Sequence, residues 1–155
     1  MSQKDDDNKI PLVALVLGLL GLIPFISPVI AILIPYDPFE LGVRAFHMML
    51  VTYAALIASF LGGVRWGLGL GAQAQQQTSL FVVSVCPSLV AWFALAVPRP
   101  YDLIVLMTLF LCLLVLDIQL VRQQAVPRWF GSLRLLLSGF VIVSLLGPLA
   151  FELGF

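Results

Sequence analysis

The chain has 155 residues, 61% of them hydrophobic and only 10% charged, and its formal net charge is zero. Its mean hydropathy is +1.10. A soluble domain carries about 25% charged residues to face water, and a nucleic-acid binder carries a basic patch or stripe, so the composition argues against both. The apolar residues gather instead into runs near the ~20 residues of a bilayer crossing, and the polar joints between them leave no room for a separate soluble domain.

Met1 to Lys9 form a polar tail with Asp5, Asp6 and Asp7. A mitochondrial transit peptide is Arg-rich and nearly free of acids, and a signal-peptide apolar core is shorter than the run that follows. The expectation is a bacterial inner-membrane protein whose first helix is retained. That span covers approximately Ile10 to Ile34 and is closed by Pro35, Tyr36, Asp37 and Pro38. Pro24 and Pro28 lie four residues apart on one face. Each lacks an N–H and frees the carbonyl four residues earlier, which predicts a bend there, with Ser27 or a neighbouring helix satisfying what is freed.

The second span runs from about Ala45 to Gly71, and the third from about Ser79 to Val97 with Pro87 near its middle. The fourth covers about Leu103 to Val121, and the fifth runs from near Leu133 to the C-terminus. Loops this short force each helix antiparallel to the next. The fold class is therefore all-α: residues 10–155 form one bundle of five transmembrane helices. The Lys and Arg distribution places the N-terminus in the cytoplasm and the C-terminus outside, because Lys4, Lys9, Arg122, Arg128 and Arg134 fall on one side and only Arg44 and Arg99 on the other. Trp129, Phe130, Tyr36 and Tyr101 fall where an aromatic belt sits. No internal repeat is visible, and an odd helix count argues against a simple inverted-repeat transporter.

The second span is the most informative. Ala55, Ser59, Gly63, Gly67 and Gly71 recur every four residues, a ladder that lets another backbone approach closely, within the chain or across a homodimer. Arg65 projects from nearly the opposite face, which it shares with His47, Ala54, Ala58 and Leu61. An arginine in hydrocarbon costs about 2.5–3.5 kcal/mol on insertion scales, so it snorkels, pairs or lines water. Asp117, on the parallel fourth span, lies at similar depth and is the expected partner. Trp66, Arg122, Trp129 and Arg134 fall on the same side and complete a candidate polar and aromatic cluster. This cluster either pins helices together or receives an anionic headgroup, a quinone-like ring or a proton. On the other side, His47 and Glu152 lie close enough to the surface to meet or to be solvated.

Cys86 and Cys112 lack metal-site spacing and read as small buried hydrophobes. There is no H-E-x-x-H, no G-x-S-x-G and no phosphate-binding loop with a following Lys, so neither catalysis nor a cofactor is expected.

The segment Ser59-Phe60-Leu61-Gly62-Gly63-Val64-Arg65-Trp66-Gly67 resembles a membrane family catalogued as a domain of unknown function (DUF3429) and related to transmembrane protein 69. Cys86-Pro87-Ser88-Leu89-Val90-Ala91-Trp92, Asp117, Pro127-x-Trp129 and Leu133-Arg134 fit the same pattern. The resemblance implies a polytopic inner-membrane protein and brings no catalytic residues with it. With small size and close-packing surfaces, the leading expectation is a non-enzymatic accessory, assembly or scaffolding protein, with the lipid bilayer, a larger membrane complex or a second copy as partners. The alternative is a small carrier or binding protein for a proton, quinone or lipid. A ligand-sized cavity reaching Arg65 would favour the carrier, and a filled core the scaffold. For the orientation, reporter fusions after Gln76 and after Phe155 should read cytoplasmic and external respectively; the same compartment for both would rule out five spans.

Overall fold

Large apolar side chains cover the outside of the bundle: Leu12, Phe60, Leu70, Trp92 and Val143 are all more than half exposed. Such a surface is at rest only against lipid. The computed structural model describes residues 9–34 and 41–154. Most of the expected polar tail, Tyr36 and the closing segment at Pro35–Pro38 lie outside the described residues. The helices are α1 (Leu12–Leu20), α2 (Ile23–Leu33), α3 (Gly42–Gly71), α4 (Ala74–Ala94), α5 (Tyr101–Arg122) and α6 (Arg128–Leu153). Helices α1 and α2 together make the first of five apolar spans. α3 is central and packs against α2, α4 and α5, while α6 packs against α5, α2 and α1.

Several helices start earlier than their apolar runs. α4 begins at Ala74 rather than Ser79, because Gln75, Gln76 and Gln77 are good helix formers. α6 begins at Arg128 directly after Pro127 rather than at Leu133. Hydropathy marks the edge of the hydrocarbon; the helix continues into the interface. The Gln77 side chain donates to the carbonyl of Gly69 at 3.2 Å and so caps the end of α3. Gly154 closes α6 in the left-handed conformation, with φ of 81°.

The first span breaks one turn before its prolines, at Gly21 and Leu22. Pro24 falls in the first turn of α2, where its missing N–H is not needed. The Phe25 N–H then bonds the Leu22 carbonyl at 3.0 Å, leaving the Gly21 carbonyl free. The Tyr53 hydroxyl of α3 donates to it at 3.0 Å. The neighbouring helix thus supplies the missing partner, and Phe25 stacks edge-on against both Tyr53 and Phe110 with centroids 5.0 and 6.2 Å away.

The buried stripe of α3 is the Arg65 face: His47, Ala54, Ala58, Leu61 and Arg65 are all enclosed. Within the chain the glycines of the ladder make no close approach. Of its members Ala55 is buried, but a Cβ at Gly63, Gly67 or Gly71 would meet nothing within 4 Å. The close approach uses other glycines. A Cβ at Gly62 would lie 2.3 Å from the Ser84 carbonyl oxygen, and one at Gly69 would lie 2.8 Å from the Phe81 ring. The reason is register: α4 crosses α3 beside the Arg65 face, where Gly62 and Gly69 stand seven residues apart, two turns of helix. Cys86 and Cys112 are corrected, since both are exposed on the apolar surface rather than buried.

Gly62→Ala should therefore be the most damaging of the glycine substitutions, because the clash is with backbone that cannot rotate away. A loss of about 1–3 kcal/mol is expected. Gly69→Ala should cost less, since the Phe81 ring can yield, and Gly63→Ala and Gly67→Ala should be near neutral. Melting temperatures in detergent check the order; a Gly63 variant as damaged as the Gly62 variant would overturn this packing.

Candidate buried ion clusters and an adjoining cavity

By helix rise, Arg65 stands about 9 Å from the end of α3, Asp117 about 8 Å from the end of α5 and Arg134 about 9 Å from the start of α6. Equal depth brings them together. Asp117 accepts from both arginines, Arg65 Nη2 to Oδ1 at 2.5 Å and Arg134 Nε to Oδ2 at 2.6 Å. Arg65, Asp117 and Arg134 are only 3%, 4% and 6% exposed. Arg65 also lies 3.4 Å from the Leu113 carbonyl, a long contact in the same helix as Asp117. Arg65 does not snorkel.

The other members of the expected cluster divide. Trp129 stacks edge-on with Phe130, 6.3 Å between centroids, and lines a cavity beside Arg134. Trp66 is half exposed and leans on Phe81 at 4.7 Å, on the side of α3 that faces α4. Arg122 is exposed at the end of α5. Neither joins the triad.

At the opposite end the structure goes further than the sequence. His47 is 0% exposed. Its Nε2 lies 2.5 Å from Asp102 Oδ2, and since an ionised carboxylate only accepts, the imidazole donates there. His47 Nδ1 lies 3.0 Å from Glu152 Oε1, but off the line that a hydrogen bond needs. Glu152 in turn accepts from Arg99 Nε at 2.9 Å and also from its Nη2. His47 and Glu152 thus meet in a network that is buried at His47 and Asp102 and reaches the surface at Arg99. From the sequence, Arg99 enters only as a charge on that side of the membrane, and Asp102 has no part. The available signal was an acid in the first turn of an apolar helix, opposite the only histidine. Each ring nitrogen faces a different carboxylate, which suits a clamp rather than ligands converging on one ion.

The cavity measures about 370 Å³, within the small end of the range for ligand sites. Its wall is apolar, with Ala14 and Gly18 of α1, Ile57 and Leu61 of α3, Phe110 of α5 and Leu137 of α6. Exposed Leu17 and Phe60 rim it, so its mouth faces the lipid side. Arg134 and Ser138, one helical turn apart on α6, are polar members of that wall. Arg134 Nη2 and Ser138 Oγ are buried without a hydrogen-bond partner. Ser59 and Ser84, by contrast, bond back to their own helices, to the Ala55 and Phe81 carbonyls. Ser138 makes no such bond. The cavity reaches Arg134 and not Arg65, the residue whose contact with a cavity was the expected mark of a carrier.

The shared carboxylate sets the order of mutational damage. Asp117→Leu strands two buried guanidiniums and should be the worst single change, with a loss of about 3–5 kcal/mol for breaking a buried pair. Arg65→Met should cost less, because Arg134 still holds Asp117. The double variant Arg65→Met/Asp117→Leu should recover only part of the loss, and adding Arg134→Met should recover most of it. Thermal melts of these variants check the series; purely additive losses would show that the three residues do not interact.

Comparison with known proteins gives a consistent class. The chain is 34% identical over 143 residues to a protein of Xenopus tropicalis named Transmembrane protein 69, covering 90% of this chain and 54% of that one. It is 30% identical over 144 residues to the Mus musculus protein of the same name, covering 92% and 57% respectively. The chain therefore spans a little over half the length of these relatives. No solved structure matches it. A family model described as "Protein of unknown function (DUF3429)" matches residues 10–150. With five apolar helices and that match over most of its length, the chain is a multi-pass membrane protein and belongs to the DUF3429 family.

Proposed function

We propose that this protein binds an amphipathic small molecule inside the membrane, as a carrier or binding protein without catalysis. One observation carries the reading: an apolar cavity of about 370 Å³ has two unpartnered polar groups, Arg134 Nη2 and Ser138 Oγ, in its wall. An unpaired polar group buried away from water costs about 1–3 kcal/mol. A fold that keeps two of them beside open space gains when a ligand supplies the partner. The acidic N-terminal tail supports a bacterial cytoplasmic membrane rather than a mitochondrial one, and the Lys and Arg distribution supports an orientation with the Arg65 end inside.

A second reading, an accessory or scaffolding role beside a larger complex or as a homodimer, is supported by the open face at Gly63, Gly67 and Gly71, where another helix can approach. Gentle-detergent purification reads both, with co-extracted small molecules for the first and co-purifying proteins for the second.

Ala14 lines the cavity and is half-buried, so Ala14→Phe fills space without touching an ion pair. The variant should lose at least tenfold of any co-extracted amphiphile while keeping its melting temperature. Val143→Phe, on the lipid-facing surface, should leave the extract unchanged. Equal extracts from all three proteins, or none from the parent, would overturn the binding reading.

A further inference from the structure

We infer that the ligand is a single-chain amphiphile with a monoanionic carboxylate head, of the fatty-acid class, its head at Arg134 and Ser138 and its chain in the cavity. This inference rests on the binding reading above and adds the charge and shape of what is bound.

The charge follows from the triad. A guanidinium stays protonated in proteins, so Arg65 and Arg134 bring two positive charges to the single carboxylate of Asp117. Among the described residues the other acids, Asp102 and Glu152, are committed to the opposite end of the bundle. One positive charge is left uncompensated in a place shut off from water. Hydrocarbon makes that state expensive, and an anion brought close relieves it.

The geometry names the receiving atoms. Arg134 spends Nε on Asp117, and its Nη2 remains unpartnered. Ser138 Oγ, one turn further along α6, is a second free donor. A carboxylate offers two acceptor oxygens and matches two such donors, whereas a quinone carbonyl offers one neutral oxygen. Both residues belong to the cavity wall while the two atoms are enclosed, so a side-chain rotation brings them to the head.

The shape follows from volume and access. A cavity of about 370 Å³ holds one flexible chain or one ring rather than two acyl chains. Its mouth between Leu17 and Phe60 opens onto lipid, so the chain enters sideways and its far end remains in the bilayer. The lining is otherwise aliphatic and aromatic from Ala14 to Val141, with the Trp129 indole N–H as one further donor.

The test compares palmitate, methyl palmitate and hexadecanol as probes of the delipidated full chain in detergent, read by thermal shift and by competition against a fluorescent fatty acid. Palmitate is expected to bind at least tenfold more tightly than its methyl ester or the alcohol. Ser138→Ala and Arg134→Gln should each remove most of that preference. Arg134→Lys keeps the positive charge and should retain more of the preference than Arg134→Gln, which a merely structural role of the side chain would not require. If acid, ester and alcohol bind equally and Ala14→Phe abolishes all three, the cavity is a ligand site and the anionic assignment is wrong. If a neutral quinone displaces the fluorescent probe better than palmitate, the assignment is also wrong. If no probe binds the parent, or Ala14→Phe changes nothing, both the assignment and the binding reading fall.

Discussion

Asp117 is the residue on which the arrangement of this bundle turns. Short loops make neighbouring spans antiparallel, but they do not fix how far each helix is rotated or how deep it sits. A shared buried carboxylate does. To reach Asp117, Arg65 must face inward from α3 and Arg134 from α6, at one depth; any other rotation leaves a charge in lipid at a cost of several kcal/mol. The second network repeats the constraint at the far end with the same three helices. His47 belongs to α3, Asp102 to α5 and Glu152 to α6. The frame is thus three helices clamped twice. The remaining two spans dock onto it by shape, α4 through Gly62 and Gly69 and the first span through Phe25 and Tyr53.

Clamping by long side chains has a consequence for the interior. α3 and α6 are linked by side chains at both ends, Arg65 and Arg134 through Asp117 and His47 against Glu152, but are not closely packed side by side. The cavity lies in that gap, walled by residues of both helices and by α1. A buried ion pair is weak evidence for stability, because apolar residues of similar volume usually pack as well or better. An arrangement with one cation too many, a free hydroxyl and a gap is weaker still as a device for stability alone. The same features are coherent as a binding site, where the missing charge and volume come from outside.

The spans, their order and the pairing of Arg65 with Asp117 were legible because each rests on a one-dimensional signal: an apolar run, the 3.6-residue period, and depth counted from a helix end. Arg134 was placed on the correct side for the same reason, though its share in Asp117 was not foreseen. The signal failed where the answer depends on which neighbour lies on which side. Gly63 and Gly67 form the better motif, yet Gly62 and Gly69 are the ones covered, since a small-residue period states that close approach is permitted and not where α4 arrives. Depth brought His47 near Glu152 but left open whether they meet or are solvated, whereas Arg99 entered only as a charge on that side and Asp102 not at all. Burial of that network depends on the sideways packing of α3, α5 and α6, which no single helix period encodes. The first span taught the same lesson about proline. Pro24 predicts a disturbance, but the interruption falls three residues earlier, where Gly21 and Leu22 can turn and Tyr53 can reach the freed carbonyl.

That interruption also decides which wall of the cavity is the soft one. α1 contains no buried residue and packs only lightly on α6. α3, α5 and α6 carry the enclosed core and both ion networks. Regions with few buried contacts open at lower free energy than those that hold the core. The break at Gly21 and Leu22 separates α1 from α2, whose Phe25 is locked between Tyr53 and Phe110. Movement of α1 is thereby uncoupled from the core, and the lipid-facing side of the cavity yields first. On the binding reading, a bundle held by salt bridges on three helices and closed by one lightly held helical segment lets a molecule enter from the bilayer without breaking the interactions that fix its fold.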